Sequence, residues 1–192
     1  MKVYGLTGGI GMGKSTAGKL LRDRRISVVD TDAIARQIVE PGQPALSEIQ
    51  AVFGGDLIGS DGRLRRGELA RRVFGDEAAR RRLEGILHPR IRSAWQGQVA
   101  AWRTEGLARA VVDIPLLFET NATPSFDATI CVACSFSSQR QRLEARGWDV
   151  DQINQRIAAQ WPVDKKMELA NYVVWTEGDL DMHAAQLQRI IP

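Results

Sequence analysis

The fold is decided by one stretch near the amino terminus, Leu6-Thr7-Gly8-Gly9-Ile10-Gly11-Met12-Gly13-Lys14-Ser15-Thr16. The stretch fits G-x-x-x-x-G-K-[ST], in which glycines let the backbone curl around an anion and turn its N–H groups inward. The apolar run before it predicts a buried strand, and residues 17–21 predict a helix. Strand, glycine-rich turn and helix form a phosphate-binding loop, called here the phosphate loop (residues 8–15). The alternative is a glycine-rich turn with a packing role only. It is disfavoured because the glycine pattern and the flanking strand and helix all fit a phosphate-binding loop.

Eight residues of this stretch are predicted to contact a nucleoside triphosphate. The predicted contacts are Gly8, Gly9, Gly11, Met12, Gly13, Lys14, Ser15 and Thr16. Lys14 is expected to reach the β- and γ-phosphates, and the Ser15 hydroxyl is expected to bind Mg²⁺. The N-terminus of the following helix adds partial positive charge. The chain is therefore predicted to bind a nucleoside triphosphate together with Mg²⁺.

The composition is that of a globular protein with one domain, or one domain and an insertion. The 192 residues are 44% hydrophobic and 26% charged. No apolar run approaches the ~20 residues that a membrane-spanning helix needs. The first predicted strand follows Met1 almost directly, so we expect no leader and a cytoplasmic protein. The net charge of +3 is spread along the chain, which favours polyphosphate handling by arginine over nucleic-acid binding.

The two cysteines, Cys131 and Cys134, have a C-x-x-C spacing. They lie in a strand-like apolar run, where positions three apart point to opposite faces. No second pair is present to complete a zinc site. Buried, reduced thiols are the prediction, and a redox or metal-binding pair is the alternative.

The order of apolar runs predicts an α/β fold, with a five-stranded parallel sheet and helices on both faces. The strands are predicted at residues 2–6, 26–29, 110–117, 129–132 and 169–175. Residues 44–105 lack strand patterns and predict a helical insertion, whose two long helices are expected to break at His88-Pro89. A closing helix over 179–190 is expected to leave His183 at the surface.

Acidic residues follow two predicted strands, at the sheet edge where ligands of open parallel sheets bind. Asp30 and Asp32 follow the second strand, and Asp113 ends the third strand at the same edge. Asp32 is the predicted base that takes a proton from an acceptor hydroxyl, with capping of the next helix as the alternative. Asp30 is the second candidate, or orients the loop. Asp113 is predicted to steer Mg²⁺, directly or through water, with a structural hydrogen bond as the alternative.

Arg142 and Arg146 lie four residues apart and share one face of a predicted helix. They are predicted to stabilise negative charge on the transferring phosphoryl group. The helical pair that carries them, over residues 136–160, could close over bound phosphates and exclude water. The alternative is an exposed helix face.

Further motifs occur in order along nearly the whole chain. They are Asp30-Thr31-Asp32, Leu87-His88-Pro89, Ile114-Pro115-Leu116-Leu117-Phe118-Glu119, and Arg142 with Arg146. Together with the phosphate loop they resemble the dephospho-CoA kinase family. The phosphate loop alone is generic, whereas the Asp-x-Asp, His-Pro and Ile-Pro-Leu-Leu-Phe-Glu motifs together are specific. The resemblance implies ATP-dependent phosphorylation of the ribose 3′-hydroxyl of dephospho-CoA, the last step to coenzyme A.

The resemblance also implies a division of the chain and a set of site residues. The implied parts are a nucleotide-binding core (1–43, 106–135 and 166–192), a helical substrate domain (44–105) and a lid (136–165). ATP is implied to contact Arg142 and Thr176 as well as the phosphate loop. The residues implied to contact the acceptor are Asp32, His88, Leu116, Leu117, Phe118 and Glu119. Met12 replaces the serine usual in the family, and we expect it to be tolerated because the backbone binds phosphate there.

The implied partners are ATP with Mg²⁺ and dephospho-CoA, without nucleic acid or a membrane. A monomer is expected, with an oligomer as the alternative. Two other functions are weighed: a different phosphate-loop kinase, and a nucleotide-operated switch or nucleic-acid-binding ATPase suggested by the pI of 9.1. The chain has no N-K-x-D motif for guanine and no concentrated basic patch, which disfavours the last class.

Overall fold

The computed structural model describes residues 1–192, in which helices flank a parallel sheet. The strands are β1 (Lys2–Gly8), β2 (Ser27–Asp30), β3 (Arg109–Asp113), β4 (Ala128–Ala133) and β5 (Tyr172–Trp175). The helices are α1 (Lys14–Asp23), α2 (Thr31–Gln37), α3 (Pro44–Phe53), α4 (Arg66–Val73), α5 (Glu77–Thr104), α6 (Phe136–Glu144), α7 (Val150–Ala158), α8 (Val163–Leu169) and α9 (Leu180–Ile190). None of them combines the length and the apolar character that crossing a membrane requires.

The sheet has the strand order β2-β3-β1-β4-β5, and all neighbours are parallel. This confirms the predicted five-stranded α/β fold. The central strand β1 is buried at every position after Lys2, as expected for a parallel sheet with both faces covered by helices. Within it, Leu6 lies opposite Asp113 of β3 and Ile130 of β4. The end of β3 therefore lies beside the start of the phosphate loop.

The chain forms two compact units. The first, Met1–Asp30 with Ala101–Pro192, contains the sheet, and its core includes Leu6, Leu21, Val111, Ile130 and Leu187. The second, Thr31–Ala100, is helical, and its core includes Ile49, Phe53, Leu57, Leu69 and Ile86. Burying one such side chain stabilises the folded protein by roughly 1.5–3 kcal/mol. Each unit buries several of them and therefore has a core of its own. The finer division into core, substrate domain and lid stays a prediction.

The predicted helix break at His88-Pro89 is wrong, because α5 runs unbroken from Glu77 to Thr104 with Pro89 inside it. Proline lacks the N–H that would bond the carbonyl of Gly85, and this favours a break. However, Ile86 before Pro89 and Trp95 after it are both buried. Continuous packing along the apolar stripe of α5 outweighs the one missing hydrogen bond.

The third strand ends at Asp113 and is shorter than the predicted 110–117. Pro115 has no N–H for a strand ladder. Its carbonyl instead accepts hydrogen bonds from the side chains of Thr7 (3.0 Å) and Lys166 (2.8 Å). The apolar residues after Asp113 therefore form a turn, called here the post-β3 loop (residues 114–119). Helix α8, between α7 and β5, was not predicted.

Cys131 and Cys134 are buried free thiols, which confirms the prediction of reduced, buried side chains. Burial raises the pKa of the Cys131 thiol to about 12 and also raises the pKa of Cys134. Because the thiolate is the reactive and metal-binding form, both side chains serve here as small apolar core residues.

Candidate active site

The phosphate loop joins β1 to α1 and packs closely against its neighbours. Gly13, the N-cap of α1, has a φ of +96°, a conformation that glycine adopts without strain. A Cβ atom on Gly8 would lie 2.4 Å from the carbonyl oxygen of Val132 in β4. No side chain caps the N-terminus of α1, so its first N–H groups are available to an anion.

Lys14 and Asp113 form an ion pair at the carboxyl edge of the sheet. Asp113 is the last residue of β3 and is buried, and the Lys14 side chain is largely buried as well. A charge pair in such surroundings interacts more strongly than one in water, and its geometry is held firmly. The pair orients the Lys14 ammonium at the phosphate loop. The neighbouring Ser15 is exposed.

A cavity of ≈ 400 Å³ opens beside the phosphate loop. Its walls come from the loop and α1, from the end of α6, and from the segment that leads into α9. The lining residues are Gly11, Gly13, Thr16, Arg142, Ala145, Arg146, Thr176, Gly178, Asp179, Leu180 and His183. The cavity therefore brings together five of the predicted nucleotide contacts and both predicted lid arginines.

Thr176 connects the guanidinium group of Arg142 to the phosphate loop. Arg142 Nη1 donates to Thr176 Oγ1 (2.8 Å), and Arg142 Nη2 donates to the Thr176 carbonyl (2.7 Å). The same hydroxyl donates to the carbonyl of Met12 (2.9 Å). Since Thr176 and the Met12 carbonyl are buried, these bonds fix the orientation of Arg142 on the cavity wall. Arg146 lines the same cavity and is exposed.

Met12 contributes a packed side chain as well as its backbone. It is buried in a cluster with Ala133 and Cys134 of the sheet, against which Val163 and Met167 of α8 also pack. The sequence pattern indicated only the backbone role. The serine usual at this position would fill less of this apolar space.

His183 was expected at the surface, and this prediction is wrong. The residue is buried in the second turn of α9, at the wall of the cavity. Burial, and then the nearby Arg142 charge, lower the pKa of its imidazole. Its Nε2 is buried and no protein group hydrogen-bonds to it. The signal in the sequence is helical spacing, because His183 precedes the core residue Leu187 by four positions.

The post-β3 loop is held by a buried ion pair. Lys166 is fully buried and donates to Glu119 Oε1 (2.8 Å) and to the Pro115 carbonyl. Leu117 and Phe118 are buried in the same unit, whereas Leu116 is half-buried. The predicted acceptor contacts of this loop thus differ in accessibility. Leu116 is the more accessible one, because Glu119 Oε1 is bonded to Lys166 and Glu119 Oε2 is buried.

The second unit carries the remaining predicted site residues, Asp32 and His88. Helix α2 begins at Thr31, directly after β2, so Asp32 lies in its first turn and not at the N-cap position that was the alternative to its catalytic role. An acidic side chain is favourable there because of the helix dipole, and Asp32 is exposed. His88 is half-buried within α5.

Comparisons with known proteins show the family to which this chain belongs. The family model described as dephospho-CoA kinase matches residues 2–181. A dephospho-CoA kinase of Anaeromyxobacter dehalogenans is 44% identical over 192 residues, covering 100% of this chain and 91% of the relative.

Two solved structures share the fold. A crystal structure from Thermus thermophilus superposes with a TM-score of 0.87 at 30% identity, over 99% of this chain and 95% of that one. A dephospho-CoA kinase from Campylobacter jejuni superposes with a TM-score of 0.72 at 22% identity, over 98% of this chain and 94% of that one, and supports the fold alone. On its sequence, from the phosphate loop to the last strand, the chain belongs to the dephospho-CoA kinase family.

Proposed function

We propose that this kinase transfers the γ-phosphoryl group of ATP to the ribose 3′-hydroxyl of dephospho-CoA, giving coenzyme A and ADP. This is the reaction of its family and the final step of coenzyme A synthesis. The observation that carries the proposal is the joint position of the phosphate loop, the Lys14–Asp113 pair and the cavity lined by Arg142. Phosphoryl transfer depends mainly on positioning and positive charge, and these groups supply both.

The donor half of the site is proposed to lie in the first unit. The N–H groups of the phosphate loop and of the α1 N-terminus would bind the phosphates, and Lys14 would contact the β- and γ-phosphate oxygens. The adjoining cavity, with Thr176 on its wall, suits a nucleobase. Arg142 and Arg146 would stabilise charge that develops on the transferring group.

The acceptor half is proposed to include Asp32, His88 and the post-β3 loop, with Leu116 as the accessible side chain among the predicted contacts of that loop. Asp32 would accept the proton of the attacking 3′-hydroxyl, for which an exposed carboxylate after a strand end is suited. Asp30 remains the second candidate for this base.

The residues present fit a Mg²⁺ ion bound together with ATP. Ser15 offers an exposed hydroxyl and Asp113 a carboxylate, both oxygen donors of the kind Mg²⁺ prefers. No group of three or more His, Cys, Asp or Glu side chains could hold a metal by itself. Mg²⁺ usually binds through one or two protein oxygens and the phosphates of the substrate. When bound, the ion would neutralise phosphate charge.

The chain is further proposed to act as a cytoplasmic monomer on these two small molecules, without nucleic acid or a membrane. The modest net charge of +3, spread along the sequence, supports small polyphosphate partners over an extended nucleic acid.

The proposal is tested by measuring ADP release in a coupled assay with a panel of acceptors. Dephospho-CoA should stimulate release strongly, whereas adenosine, AMP and pantetheine derivatives should not. Stimulation by another acceptor alone would leave a phosphate-loop kinase but overturn the proposed substrate.

A further inference from the structure

Two consecutive residues after α7 bond to two different loops of the site. The side-chain carbonyl of Gln160 accepts a hydrogen bond from the N–H of Ile10 in the phosphate loop (3.0 Å). The N–H of the next residue, Trp161, donates to Glu119 Oε1 in the post-β3 loop (3.0 Å). One short junction therefore contacts both the proposed donor loop and the proposed acceptor loop.

Side chains hold the Ile10 backbone on both sides. Its N–H is bound by Gln160, and its carbonyl accepts from the Nε2 group of Gln139 in α6 (2.7 Å). Gln139 is buried, and Gln160 is half-buried. Because Ile10 directly precedes Gly11, the orientation of its peptides sets the direction of the N–H groups that follow in the loop.

The acceptor side of the junction is equally well anchored. The oxygen of Glu119 that accepts from Trp161 also pairs with the fully buried Lys166, which in turn binds the Pro115 carbonyl. In addition, the ammonium of Lys165 lies 3.4 Å from the centre of the Trp161 ring. A shift of the post-β3 loop would therefore move the junction with it, and the junction is bonded to Ile10.

We propose that Gln160 is a positioning residue that fixes the phosphate loop through Ile10 and couples nucleotide binding to the state of the post-β3 loop. Gln139 is its partner on the opposite side of the same residue. The coupling part of this inference rests on the proposed function, because it takes the post-β3 loop as the acceptor side. The positioning part concerns nucleotide binding alone.

Positioning is tested with Gln160→Met, which keeps the length of the side chain and removes the amide carbonyl. The Kd of a fluorescent ATP analogue, measured without acceptor, should rise about tenfold, and Gln139→Met should act similarly. Because both side chains hold Ile10, the double variant should be only slightly worse than either single variant. The control Gln155→Met, at an exposed position of α7, should bind like wild type. A wild-type Kd for Gln160→Met, or fully additive losses, would overturn the positioning role.

Coupling is tested by measuring the Kd of dephospho-CoA with and without a non-hydrolysable ATP analogue. In wild type the analogue should tighten dephospho-CoA binding, and the reverse effect should have the same size. In Gln160→Met, the ratio of the dephospho-CoA Kd without the analogue to the Kd with it should fall to about one. A ratio equal to that of wild type would overturn the coupling. Thermal unfolding identifies a variant that does not fold, in which case the shorter Gln160→Asn takes its place. If wild type does not phosphorylate dephospho-CoA, the proposed function fails, while the ATP-analogue measurement still decides the positioning role.

Discussion

The ammonium of Lys14 and the carboxylate of Asp113 form an ion pair that joins the phosphate loop to the end of β3. The two groups belong to elements far apart in the sequence that the parallel register of β1 and β3 brings together. The pair places a fixed positive charge where the phosphate loop opens. A bound triphosphate would compete with Asp113 for this lysine.

Replacement of Lys14 by methionine should therefore nearly abolish turnover. The substitution keeps the aliphatic stem and removes the charge that would stabilise the transferring phosphoryl group. We expect kcat/KM to fall by about 10²–10³-fold, the order of loss seen when one such stabilising group is removed. Lys19→Met, at an exposed position of α1, is the matched control and should leave kcat/KM unchanged. An active, folded Lys14→Met protein would show that this loop is not the donor site.

Replacement of Asp32 by asparagine should separate binding from chemistry. The amide keeps the size of the side chain but cannot accept the proton of the attacking hydroxyl. The expected result is a kcat lower by about 10²–10⁴-fold with nearly unchanged affinity for ATP. Steady-state kinetics and direct ATP binding measure the two quantities. Near-normal turnover would remove Asp32 from the mechanism, and Asp30→Asn then becomes the variant to compare.

Loss of the Thr176 hydroxyl should remove one of the hydrogen bonds that orient the Arg142 side chain. Thr176→Val keeps the shape of the side chain but leaves the Met12 carbonyl and one Arg142 N–H without their partner. We expect a loss of about 1–3 kcal/mol in the free energy of unfolding and a rise of about tenfold in the KM for ATP. Thr176→Ser retains the hydroxyl and should restore most of both quantities. Equal losses in the valine and serine variants would argue that packing, not the hydrogen bonds, matters at this position.

The buried His183 should make stability depend on pH. Burial lowers its pKa in the folded protein below the ordinary value of 6.5, so the unfolded chain binds the proton more readily. The free energy of unfolding should therefore decrease as the pH falls below about 6.5, until the folded-state pKa is reached. Above that range His183 is neutral in both states and has no effect.

This pH dependence is measured by urea unfolding of wild type and His183→Leu between about pH 7.5 and 5.5. The leucine variant should lose less stability over this range than wild type does. His88→Gln removes the only other histidine of the chain and is measured in parallel. Parallel curves for wild type and His183→Leu would contradict the assignment.

Much of the fold could be predicted because local patterns dictate it. The phosphate loop has a strict pattern, and the apolar runs in β1, β3 and β4 indicate strands buried on both faces. The helix break predicted at Pro89 does not occur, because the packing of Ile86 and Trp95 outweighs the low helix propensity of proline. The pattern around residues 114–117 looked like strand, but the missing N–H of Pro115 ends the ladder.

The polar contacts that organise the site could not be predicted in the same way. From the sequence alone, Lys166 would be expected to be exposed. Its burial depends on the ion pair with Glu119, which forms only when α8 packs in place. The bonds of Gln139 and Gln160 to Ile10 likewise join distant segments, and glutamine has no pattern that indicates such a partner. Polar character also placed His183 at the surface, although its helical spacing from Leu187 indicated the core.

The reaction of this kinase is identified by the product that the purified protein makes from ATP, Mg²⁺ and dephospho-CoA. Mass spectrometry and ³¹P NMR should find coenzyme A, with the new phosphate on the ribose 3′-oxygen and one ADP formed for each molecule of product. ADP release without a phosphorylated acceptor, or a phosphate at any other position, would contradict the account.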